Sequence, residues 1–202
     1  MESPTESQTS QPTASAETPT TPQPSQPSRL LREIVETALL TAVIFLLVNA
    51  ATGRFQIESV SMLPNLHEGE YVIVDKVSYR LHPPERGDIV VFHLDGEPKD
   101  LIKRVIGLPG ETIEGAGDQV IVNGRPLEEP YVAPSSRTTF LSRKLGPDEY
   151  FVMGDNRGSS RDSRVFGPIH ADKIVGRALI IYWPPADWKI VPHYAYASTA
   201  TP

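Results

Sequence analysis

The chain has 202 residues, a formal net charge of −6 and no cysteine. The acidic balance excludes the basic stripe of a nucleic-acid binder, and the absence of Cys excludes disulfides, a thiol nucleophile and a Cys-based zinc site. The length allows one domain, with or without appendages.

Residues 1–28 hold six prolines, twelve Ser or Thr, three Glu and no Lys or Arg. So little apolar surface cannot offset the entropy of ordering, and 1–29 is predicted to be a disordered tail. A transit peptide would be Arg-rich and poor in acids, which this segment is not. Next, Glu36 and Arg54 bracket 17 uncharged residues, and Leu30 to Val35 extend the apolar character backwards. At 1.5 Å per residue this reaches across about 30 Å of hydrocarbon, so 30–54 is predicted to be a transmembrane anchor. A cleavable signal sequence is the alternative, because Val48-Asn49-Ala50 ends on a small residue. The long acidic region before the span suits that alternative badly. Arg29 and Arg32 precede the span and Arg54 follows it, a balance that puts the N-terminus inside.

Beyond Arg54 the sequence breaks into short β-rich runs: Tyr71–Val77, Asp88–Leu94, Leu101–Ile106, Val120–Val122, Tyr150–Met153 and Ile174–Trp183. Pro83-Pro84, Asp95-Gly96, Pro109-Gly110, Asn123-Gly124 and Gly146-Pro147 punctuate them. The predicted fold is therefore mainly β, a curled antiparallel or barrel-like sheet over 55–190 behind one N-terminal transmembrane helix. Residues 125–147 read as an extended loop or small hairpin insertion, and 191–202 as a C-terminal tail.

There is no HExxH, and the five histidines form no ligand spacing, so no metal or cofactor is expected. Three stretches stand out: Glu58 to Leu66, Leu101 to Gly110, and Gly154 to Arg164. In the second, alternation sends Lys103 and Val105 to one face and Ile102, Arg104 and Ile106 to the other. An exposed strand with a solvated lysine satisfies this pattern. So does a lysine held among apolar neighbours, where desolvation lowers the amine pKa and lets it deprotonate a serine. The third stretch reads either as a polar turn bonding its own backbone or as a site element stiffened by Asp–Arg pairs.

Together the three stretches resemble the type I signal peptidases (leader peptidases). Ser59-Val60-Ser61-Met62-Leu63-Pro64-Asn65-Leu66 is similar to the family's nucleophile motif. Ile102 to Gly110 resembles its lysine motif, and Gly154-Asp155-Asn156-Arg157 with Ser160-Arg161-Asp162-Ser163-Arg164 its late motif. Arg86 to Phe92 resembles a further family strand. Glu58, Val60 and Asn65 depart from the more usual Pro, Gly and Thr. The single span and short insertion resemble the compact, single-span bacterial members.

The resemblance implies a Ser-Lys dyad serine protease that removes N-terminal signal peptides from secreted preproteins after Ala-x-Ala-type small residues. It would be a single-pass protein of the bacterial plasma membrane, its catalytic domain on the extracytoplasmic face. Ser61 would be the nucleophile and Lys103 the general base. The Ser59 hydroxyl and Ser61 backbone N–H would form the oxyanion hole, and Ser160 would orient the lysine. Arg104, Asp155, Asp162 and Arg164 would give structural support, and Ile57, Met62, Leu66, Leu101 and Ile102 would line the substrate pocket. Its partners would be preproteins and the lipid bilayer, without metal or nucleic acid. Two other readings share some features. A self-cleaving repressor-type protease uses Ser-Lys chemistry but carries a DNA-binding domain, and a membrane-anchored adhesion module needs neither Lys103 nor Ser160.

Overall fold

The computed structural model describes residues 27–133 and 138–196. The predicted tail therefore lies outside the described residues up to position 26. Helix α1 (Pro27–Ala51) contains the apolar run, and within it Arg29–Ala51 has a mean hydropathy of 2.1. This is long and apolar enough to cross a membrane. Arg32 and Glu36 pair one turn apart at 2.6 Å, and Thr41 bonds back to the Thr37 carbonyl at 2.8 Å. The described residues divide after Ala42 into two units, and the β fold belongs to the second.

The strands are β1 (Thr52–Gln56), β2 (Tyr71–Asp75), β3 (Ile89–Phe92), β4 (Leu101–Gly107), β5 (Thr112–Ala116) and β6 (Gln119–Val122). They continue with β7 (Arg125–Pro126), β8 (Phe140–Lys144), β9 (Glu149–Met153), β10 (Ile169–His170), β11 (Ile174–Trp183) and β12 (Lys189–Ile190). One-turn helices α2 (Ser78–Leu81) and α3 (Ser163–Phe166) interrupt them. The larger sheet runs β1-β2-β11-β3-β4-β9-β10 with β12 on β11, and the smaller runs β7-β6-β5-β8. Every pairing is antiparallel, and register shifts in β11 against β2 and β3, and in β4 against β9, curl the larger sheet. Mainly β and curled, the fold is the one the runs and turns predict.

Two regions differ from expectation. The span was bounded at Arg54, but the helix ends at Ala51 and Arg54 sits in β1, paired with Ile73. The Thr52-Gly53 step explains the break, since a β-branched residue followed by glycine does not carry a helix onward. Residues 125–147 are in part a sheet edge, with β7 on β6 and β8 on β5. The polar face of β8, Phe-Leu-Ser-Arg-Lys with four exposed positions, hid it.

Three packed clusters hold this unit together, and β4 touches all of them. Ile102 packs against the cluster containing Met62, Leu66, Val72 and Ile181, Ile106 joins Ile113, Phe151 and Met153, and Val105 joins Val90, Phe92 and Val152. Each fully buried Val, Ile or Met contributes about 1.5–3 kcal/mol relative to exposure. Because both faces of β4 are covered, its polar residues Lys103 and Arg104 are buried with it.

Candidate active site

Ser61 sits in a 3-10 turn (Val60–Met62) entered from extended Ser59 and left through the Leu63-Pro64 step. Met62 and Leu66, both fully buried, pin this turn to the core. The Met62 carbonyl then receives the N–H groups of Asn65 and Leu66, each at 3.0 Å. The serine is therefore fixed by packing on its far side while its hydroxyl faces β4.

Lys103 lies in the middle of β4 opposite Val90. Its Nζ stands 2.8 Å from Ser61 Oγ and donates to the Ile102 carbonyl at 2.7 Å. Burial pushes the Lys103 pKa down from 10.5 to about 8, against the opposing pull of Asp162 and then Asp155. Ser59 Oγ stands 3.1 Å from Ser61 Oγ, so the Ser61 hydroxyl lies between an amine and a second hydroxyl.

The late motif surrounds this pair. Asn156 donates its backbone N–H to the Ser61 carbonyl at 3.0 Å and its side-chain amide to the Val60 carbonyl at 3.1 Å. Asp155 and Arg104 form a two-pronged pair, Nε to Oδ1 and Nη2 to Oδ2, each at 2.8 Å, with both side chains wholly buried. Asn65 adds a third bond to Asp155 at 2.8 Å. Asp162 accepts from Gly154 N at 3.0 Å and from Arg164 Nε at 2.7 Å, and caps α3. Burial works to raise its pKa, but the Arg164 bond and charge outweigh it and hold the carboxyl below its ordinary value.

Ser160 differs from its implied role. The lysine amine bonds Ser61 and the Ile102 carbonyl, and the buried Ser160 hydroxyl is not among its partners; it instead helps hold the Asp162 carboxyl below its ordinary value. It does lie against Gly154: a Cβ there would come within 2.3 Å of Ser160 Oγ and 2.5 Å of the Ser61 carbonyl oxygen. Gly154→Ala is therefore expected to displace the Ser61 turn and lower kcat/KM by on the order of 10²-fold. Unchanged kinetics in the folded variant would contradict this packing.

A cleft of about 510 Å³ opens onto the lysine, lined by Arg54, Phe55, Gln56, Glu58, Ser59, Leu101, Ile102 and Lys103 with residues 97–100. Of the predicted pocket residues, Leu101 and Ile102 line it. Ile57, Met62 and Leu66 do not, being packed in the core behind it. Ion pairs bridge the rim, Glu58 to Lys99 at 2.5 Å and Glu97 to Arg161. A larger cavity of about 650 Å³ near Leu127, Pro130 and Tyr194 shares no residue with the Ser–Lys pair. Among the described residues no group of His, Asp and Glu could hold a metal ion.

Four contributors, Asn156, Arg157, Glu129 and Tyr131, carry no role in the sequence analysis. Asn156 stitches the late motif to the Ser61 turn. Arg157 pairs with Glu129 through two bonds, which outweigh burial and raise its pKa above the ordinary value. The Tyr131 ring lies 4.1 Å from the Arg104 guanidinium. Asn156 and Arg157 stand inside the quoted late motif, but Glu129 and Tyr131 gave no local signal.

Residues 30–183 match the family described as Signal peptidase, peptidase S26. The chain is 41% identical to signal peptidase I of Leptolyngbya laminosa over 164 residues, 76% of this chain and 80% of that protein. It is 37% identical to the probable signal peptidase I-1 of a Synechocystis strain, covering 87% of this chain and 94% of the relative. It is 40% identical to signal peptidase I of Bacillus caldolyticus, covering 65% and 80% respectively. By the extent of these matches, the chain belongs to the S26 signal peptidase family.

Proposed function

We propose that this protein is a membrane-anchored serine endopeptidase that removes signal peptides from preproteins after Ala-x-Ala-type small residues. The observation that carries the reading is a buried lysine Nζ 2.8 Å from Ser61 Oγ, with a pKa brought down to about 8. Neutral Lys103 takes the Ser61 proton as Oγ attacks the scissile carbonyl, giving a tetrahedral oxyanion and a lysine ammonium. The Ser59 hydroxyl and the Ser61 N–H donate to the oxyanion. As the C–N bond breaks, the ammonium returns its proton to the leaving amine. Water, deprotonated by the same lysine, then hydrolyses the acyl-enzyme.

An extended substrate segment adding along the cleft bonds through its main chain. Leu101 and Ile102 face its small side chains, and the packed core behind them leaves little depth for larger ones. The apolar helix holds the enzyme in the bacterial plasma membrane, with the domain after Arg54 on the extracytoplasmic side. Confinement there raises the effective concentration of membrane-inserted substrates.

The test is to incubate the detergent-solubilised protein with a preprotein and sequence the new N-terminus. Cleavage after a small residue supports the reading, and no cleavage overturns it. A protonated lysine cannot act as the base, so kcat/KM is expected to fall as pH drops through about 8. A profile flat down to pH 5 would contradict a lysine base.

A further inference from the structure

Residues 191–196 lie beyond the family match at 30–183 and were expected as tail. They are instead fastened into the fold. Val191 is buried in the core and donates its N–H to the Leu179 carbonyl at 2.8 Å. His193 accepts from the Ile89 N–H at Nδ1, 3.1 Å, and Nε2 meets the Ala178 carbonyl at 2.7 Å. Those two partners select the neutral ring with its proton on Nε2. Burial, and then the Arg177 charge, hold the His193 pKa below its ordinary value, while Asp88 lies 3.4 Å from Nδ1. Arg177 and Tyr79 each bond that carboxylate at 2.9 Å.

The same segment reaches Arg104. Nη1 of this wholly buried guanidinium donates to the Pro192 carbonyl at 3.0 Å and to the Gly87 carbonyl at 2.8 Å. The backbone of Tyr194 crosses Gly87 so closely that a Cβ there would stand 1.9 Å from the Tyr194 carbonyl oxygen. Gly87 also has φ +93°, which favours glycine. The ring of Tyr194 packs on Tyr131 at 5.7 Å, and the Tyr196 hydroxyl stands 2.8 Å from that of Tyr131. Tyr131 in turn covers the guanidinium. One arm of Arg104 and the ring over its face thus depend on 192–196, while its other arm grips Asp155. Asp155 is followed by Asn156, which holds the Ser61 carbonyl.

We propose that Val191–Tyr196 is a positioning strap for the active site, setting Arg104 and, through Asp155 and Asn156, the placement of Ser61 against Lys103. The inference rests on the Ser61–Lys103 reading. A buried guanidinium deprived of an acceptor must shift or admit water. Either response loosens its grip on Asp155, whose less compensated charge then raises the Lys103 pKa.

The test uses the full chain in detergent with a preprotein substrate, rates being counted per active site titrated with an acylating probe. His193→Ala is expected to lower kcat per site about 10- to 100-fold, with KM little changed and the acidic limb moved to higher pH. His193→Gln is expected to restore both, since its amide can accept from Ile89 and donate to Ala178. Gly87→Ala, which displaces the strap at its backbone, should match His193→Ala and serves as the test should that variant fail to fold. Unchanged kcat and limb per titrated site would overturn the strap, as would a Gln variant no better than Ala. If wild type itself lacks an acidic limb near pH 8, the dyad reading fails whatever these variants do.

Discussion

Replacing Ser61 with alanine is expected to lower kcat for preprotein cleavage by about 10⁴-fold or more, and Lys103→Met by a similar factor. The double variant should be no worse than either single one, because nucleophile and base act as one unit and their losses do not add. Lys103→Arg should be as inactive as Lys103→Met, since a guanidinium stays protonated and cannot act as a base. Stability should move the other way. Lysine is protonated in the unfolded chain up to about pH 10.5, but in the fold only up to about 8. Its burial therefore costs stability below pH 8, and that cost fades as pH rises from 8 to 10.5. Lys103→Met at pH 7 should remove it, a gain of order 3 kcal/mol at most, seen as a higher urea midpoint. A variant that is both inactive and unstable would mean that Lys103 is a structural group.

Arg104→Met is expected to give the largest loss of stability, about 3–5 kcal/mol in urea unfolding. The Arg104 and Asp155 side chains are both fully enclosed, so removing the cation strands a carboxylate whose remaining side-chain partner is Asn65. Asp155→Leu should cost a comparable amount through the stranded guanidinium. The double variant should be less unstable than the two losses added, because two apolar side chains in that space need no partner. Additive losses would show that the two groups are held independently, and the coupling between strap and nucleophile would lose its middle link.

Much of the domain was legible because its central strands are Val- and Ile-rich and bounded by turn residues. β4, β9 and β11 fell within a residue of their predicted limits, with β11 matching at both ends. β5 (Thr-Ile-Glu-Gly-Ala) was not legible because a glycine takes one of its two buried positions, and β8 because it is exposed along most of its length. Motif order singled out Ser61 and Lys103, and the fold brings the two side chains together. Their separation could not be read, because they stand 42 positions apart in the chain. The fate of Ser160 was hidden for another reason: whether its hydroxyl meets the lysine depends on where Gly154 and Ser61 leave it. The strap was least legible of all. Its sequence is a short polar and aromatic run, and its anchoring bond joins residues 104 positions apart.

The central claim is that Lys103 is neutral when it faces Ser61, and its titration tests this most directly. In protein carrying ¹³C-labelled lysine, the Lys103 ε-carbon signal can be assigned by its absence from Lys103→Met and followed from pH 6 to 11. A midpoint near 8 is the expected result, well separated from the surface lysines. A midpoint at the ordinary 10.5 would contradict the account, because an ammonium at neutral pH could not take the proton from Ser61.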